Sequence, residues 1–216
     1  MPVKKEAVIT ALENAKKLSK KREFAQSIDL IVNLKDLDLK KPENRVNELV
    51  EISNPLGKEI KICVIAGGDL AVRAKKAGAD RVIGAQDLEA LSKDKKAAKQ
   101  IEKNFDFFIA EAQLMPQVGK SIGAVLGPRG KMPTPAPTSA PIDEMIKKYR
   151  RMIRIMVKGQ LNTQTRIGIE DMENEKIAEN IQVVVTRLEN KLEKGLRNIR
   201  SIAVKTTMGP PVKIEL

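Results

Sequence analysis

The chain predicts a mixed fold, an α/β centre with parallel strands between two ends that read as α+β. Three observations carry that reading. The run ICVIA at Ile62 to Ala66 is apolar without a break, as in a strand covered on both faces. Gly67-Gly68, the helical LAVRAKKAG and the short RVIGA follow it, in the order of a βαβ unit. Outside this centre, one-faced strand patterns stand beside amphipathic helices.

Taken in order, Val8, Ala11, Leu12, Ala15 and Leu18 recur at intervals of three and four, a helical stripe. After the basic run Lys20, Lys21, Arg22 the period changes. Ile28, Leu30, Val32 and Leu34 then alternate with their neighbours, as in a strand with one face packed. Residues Asp36 to Arg45 are polar and of mixed charge, hence a loop, and Asn54-Pro55 with Gly57 mark a turn. FDFFIA at Phe105 to Ala110 predicts another buried strand, and the proline-rich run from Gly127 to Pro141 a long loop. A basic helix over Ile142 to Arg151 comes next, then a strand over Thr165 to Glu170. Ile177, Ile181, Val184, Val185 and Leu188 place one apolar stripe on a helix over Glu175 to Leu192. Ile199 to Thr206 and Val212 to Leu216 read as two strands joined by a turn at MGPP.

Composition narrows the chemistry. With 40 Lys plus Arg against 28 Asp plus Glu, the net charge is +12 over 216 residues, which favours polyanionic partners through phosphate contacts. There is no histidine, so an imidazole base, a His-ligated metal and a histidine pH switch are all excluded. The one cysteine, Cys63, lies in an apolar run and reads as a core thiol. No cofactor or metal site is expected. Neither a membrane-spanning run nor a signal peptide is found, and a cytoplasmic protein is expected. Aromatic residues are only 2% of the chain, so stacking of unpaired bases is not its main resource. An RNA partner would be read by shape, through phosphates, ribose hydroxyls and backbone contacts.

Two strings go further. Leu126 to Pro135, LGPRGKMPTP, makes a stiff, positively charged surface loop. Thr206 to Pro211, TTMGPP, offers hydroxyls at Thr206 and Thr207, a flexible apolar side chain at Met208, close approach at Gly209 and rigidity from Pro210-Pro211. Read plainly, the first is an interdomain loop and the second a hairpin turn. Both closely resemble signature strings of the ribosomal protein L-one family, the stalk protein of the large ribosomal subunit. AGADRVIGAQDL and EKIAENI are similar to that family as well. The Lys-rich loop from Asp36 to Asn47 and the short start look like its archaeal branch.

The resemblance implies a split α+β RNA-binding domain from residues 1–66 and 157–216, with a Rossmann-like α/β domain inserted over residues 67–156. It implies RNA contacts at Phe24, Gln26, Ser27, Ser201, Thr207, Met208, Gly209 and Pro210, with Lys41 and Lys158 near basic contact positions. The partners it implies are the large-subunit rRNA stalk, the large ribosomal subunit, exit-site tRNA and the chain's own mRNA, with a monomer off the ribosome. No membrane is expected among them. The plainer readings are a core phenylalanine at Phe24 and an ordinary strand serine at Ser201.

Two other functions are compatible with parts of the chain. LMPQVGKS at Leu114 to Ser121 ends like a phosphate-cradling loop, which would give a nucleotide-handling enzyme using Lys120 and Ser121. It has Leu114 where that loop needs glycine, and Pro116 removes a donor N–H. AGGDLAV at Ala66 likewise lacks the full dinucleotide glycine spacing. The other rival is a basic protein that binds DNA without specificity.

Overall fold

The computed structural model describes residues 4–39, 46–57, 59–157 and 159–215. Its helices are α1 (Lys5–Leu18), α2 (Gly68–Lys76), α3 (Ala85–Lys93), α4 (Lys95–Asn104), α5 (Met115–Ser121), α6 (Gly123–Leu126), α7 (Ile142–Tyr149) and α8 (Asn174–Lys191). Its strands are β1 (Ser27–Leu34), β2 (Asn47–Glu51), β3 (Ile62–Ile65), β4 (Arg81–Ile83), β5 (Phe107–Glu111), β6 (Thr134–Ala136), β7 (Met152–Met156), β8 (Asn162–Ile169), β9 (Ile199–Thr206) and β10 (Val212–Ile214). Two compact units result, residues 1–58 with 151–216 and residues 59–150.

The first unit is built on an antiparallel sheet in the order β10-β9-β1-β8. Period-two burial along β1 explains its packing. Ile28, Leu30, Val32 and Leu34 are buried, while Ser27, Asp29, Ile31 and Asn33 are half-buried on the other face. Val8, Ala11, Leu12 and Ala15 of α1 and Ile177, Ile181, Val184 and Leu188 of α8 supply the buried side chains of the two covering helices. Leu18 departs from the expected stripe. The helix ends there, and the side chain is 60% exposed. Asn180 ties α8 to the sheet and to the turn before it, donating to Ile167 O and Asn54 O at 3.0 Å each and accepting from Asn54 N at 2.9 Å. A second ribbon, β2 against β7, completes the unit.

The second unit is an all-parallel sheet, β4-β3-β5-β6, in which β3 and β5 are buried along their whole length. That is what an unbroken apolar run predicts, since helices cover both faces of such a sheet. Cys63 is wholly buried in β3, and desolvation pushes its thiol up to about 12, so no thiolate nucleophile exists near neutral pH.

The boundaries differ from expectation. β3 pairs with β4 and β5, so it belongs to the inserted unit, and the division falls between residues 58 and 59 rather than 66 and 67. Likewise β7 pairs with β2, which moves the second division from 156/157 to 150/151. The long proline-rich loop also holds a strand, β6, at the sheet edge, where Pro135 costs the ladder only one donor.

Candidate nucleic-acid interface

The C-terminal turn and the segment before β1 lie side by side, because β9 pairs with β1 in a register that sets Thr206 opposite Ile28. Their tips are joined by a compact set of hydrogen bonds. Ser27 N donates to Thr207 Oγ1 at 3.1 Å, and Thr207 N donates to Ser27 O at 3.0 Å. Gln26 Nε2 donates to Ser19 Oγ at 2.9 Å, Lys20 O at 3.1 Å and Glu170 Oε2 at 3.3 Å, and Gln26 Oε1 accepts from Met208 N at 3.1 Å. Thr206 Oγ1 donates to Ser19 Oγ at 2.9 Å and accepts from Gly209 N at 3.0 Å.

These bonds reassign several expected contacts. Gln26 is fully buried with its amide engaged on both sides, so it braces the tip and does not face a ligand. Thr206 is also fully buried, and its hydroxyl serves Ser19 and Gly209 rather than a ribose. Gly209 is required from within: a Cβ there would run into Thr206 Oγ1 and lie 3.5 Å from Ser19 Cβ. Polar type at these positions could not say whether the partner is a ligand or the protein itself.

Among the side chains left facing out, two are large and apolar. Phe24 is 53% exposed and Met208 60%, and Thr207 and Pro210 are exposed beside Met208. Covering these partly exposed side chains would gain at most about 1.5–3 kcal/mol each. Leu18, next to Ser19 and the last member of the helical stripe, adds another exposed apolar side chain. An open hollow of about 660 Å³ lies along Lys21, Arg22, Glu23 and Phe24. On α1, Lys16 Nζ donates to Met172 O at 3.0 Å; burial lowers its pKa, with Asp171 and Glu170 opposing.

Ser201 stands on the open face of the sheet, opposite Asn33, whose Nδ2 donates to its Oγ at 2.9 Å. On the same face Asp29 lies between Arg166 of β8 and Lys205 of β9. Arg166 Nε is buried and has no partner among the described residues, a donor the sequence reading missed. Its signal was only a strand position out of phase with Thr165 and Ile167. Lys41 and Lys158 lie outside the described residues.

In the second unit the strings suggestive of phosphate chemistry are otherwise engaged. LMPQVGKS is helical over α5, and Ser121 Oγ donates to Gln117 O at 2.8 Å, so no phosphate-wrapping loop exists. Gly67 N donates to Glu111 Oε2 at 3.0 Å, which puts the protein's own carboxylate where an anion would sit at α2. In the LGPRGKMPTP string, Lys131 Nζ donates to Glu102 O at 2.6 Å and Phe105 O at 2.9 Å and pairs with Glu102 at 3.2 Å. Only Arg129 of its two cations is exposed. Among the described residues no group of Cys, Asp and Glu could hold a metal, and no helix is long and apolar enough to cross a membrane.

The chain is strongly basic, and its tip is braced by its own hydrogen bonds, a combination suited to a polyanionic partner. The chain belongs to the Ribosomal protein L1p/L10e family, whose model matches residues 14–210. It is similar to large ribosomal subunit protein uL1 of Methanobrevibacter smithii, 49% identical over 96% of this chain and 98% of that one. The uL1 of Methanothermobacter thermautotrophicus is 47% identical with the same coverage, and that of Archaeoglobus fulgidus 44% over 99% of this chain and all of that one. These archaeal relatives carry the name of a ribosomal protein, which bears out the resemblance read from the two strings.

Proposed function

We propose that the chain is a structural protein of the large ribosomal subunit and that its split unit grips a folded rRNA stalk. The observation that carries this is the tip itself. Phe24 and Met208 are exposed on segments that Gln26 and Thr206 hold from beneath, so a shaped apolar surface is ready before any partner arrives. Ser27, Thr207, Gly209 and Pro210 border it, and Ser201 with Arg166 extends it along the open sheet face toward phosphate and ribose. Lys41 and Lys158 are assigned to phosphates of the same RNA.

Off the ribosome the protein is a monomer; held on the stalk, it assists release of deacylated tRNA from the exit site. The same surface takes a copy of the rRNA shape in the chain's own mRNA and so represses its translation. Both roles require recognition of shape over charge. The test is competition for the intact chain between stalk rRNA and duplex DNA of equal length at moderate salt. The rRNA is expected to win by about a thousandfold or more. Equal competition would leave only a basic protein with no chosen partner.

A further inference from the structure

Helix α4 carries Lys95, Lys99 and Lys103 at successive intervals of four, and Lys96 next in sequence, all exposed. Residues four apart share a helix face about 6 Å apart along the axis, so three ammonium groups form one line. Like charges in that arrangement oppose the helix. Elsewhere the same spacing is used the other way. On α7, Asp143 precedes Lys147 and Glu144 precedes Lys148 by four, and on α1, Glu13 precedes Lys17. Asp69 and Arg73 of α2 form an ion pair at 2.9 Å.

On α4 no acid answers the stripe. The helix's one carboxylate, Glu102, is turned inward with Ala98 and Ile101 and is held by Lys131. Asp94 before it is occupied as the helix cap, accepting from Lys96 N at 2.8 Å and Ala97 N at 3.1 Å. No ion pair involves Lys95, Lys99 or Lys103 among the described residues.

From this unanswered stripe, we infer that the outer face of α4 is a second RNA-binding surface, which takes the sugar-phosphate backbone without reading sequence. RNA is favoured over an anionic membrane because the stripe has no apolar side chains beside it to enter a lipid interface. This surface goes beyond the grip proposed for the split unit and does not depend on it.

The test uses the intact chain and a 20-base-pair RNA duplex unrelated to the stalk, with affinity measured across a salt series. The variant Lys95→Gln/Lys99→Gln/Lys103→Gln is compared with Lys17→Gln/Lys147→Gln/Lys148→Gln, which removes the same charge elsewhere. The α4 variant is expected to flatten the slope of log K against log salt by about 2–3, and the other variant by less than about 1. Its thermal midpoint should hold or rise, because a line of repulsion has gone. Equal flattening by both variants would overturn the inference, reducing the stripe to diffuse charge. So would a lowered midpoint, or loss of binding to phosphatidylserine vesicles with RNA affinity unchanged.

Discussion

The two sheets of this protein are finished differently. In the second unit β3 and β5 are buried on both faces, and the surface of the unit is left to its helices and loops. In the first unit the central strand alternates buried and half-buried, and the open face carries Asp29, Asn33, Ser201 and Arg166. One sheet has a wholly buried centre. The other is half core and half surface, and its hairpin end is stiffened by hydrogen bonds rather than by packing. On the proposals made above, the first unit meets a partner by a shaped sheet and tip, and the second by charge on a helix.

Paired substitutions can break that comparison. Ile65→Ala in β3 empties a fully buried site and is expected to cost about 2–5 kcal/mol in chemical denaturation. Ile31→Ala, on the half-buried face of β1, is expected to cost less than about 1 kcal/mol. Equal costs would mean that the open face is a packed one. A smaller effect sharpens the picture of the tip. Gln26→Ala leaves Met208 N without its acceptor and removes one of the donors to Ser19 and to Glu170, for an expected loss of about 1–3 kcal/mol. Stalk RNA affinity should fall with it, and a variant of native stability would show that the brace is slack.

Much of this was legible from the chain. Amphipathic stripes gave α1 and α8, period-two alternation gave β1, and unbroken apolar runs gave β3 and β5. What escaped had weak or contrary signals. In β2, NELVE, Val50 is the only buried residue, β6 is three residues around a proline, and MIRIM of β7 follows a helix directly. At the site, Met208 was legible as a flexible apolar side chain in a turn, whereas Phe24 was named only through the family resemblance and its own string read equally well as core. The inward aim of Gln26 and Thr206 was not, because a polar side chain satisfied by its own protein looks the same in sequence as one awaiting a ligand.

The most direct test of a grip by shape is the affinity of Met208→Ala for stalk rRNA across a salt series. Met208 carries no charge and is 60% exposed, so folding should change by less than about 0.5 kcal/mol. Binding is expected to weaken by about 1–3 kcal/mol at every salt concentration, giving a line parallel to that of the unaltered protein. Coincident lines would contradict the account, because the tip would then lie outside the RNA surface.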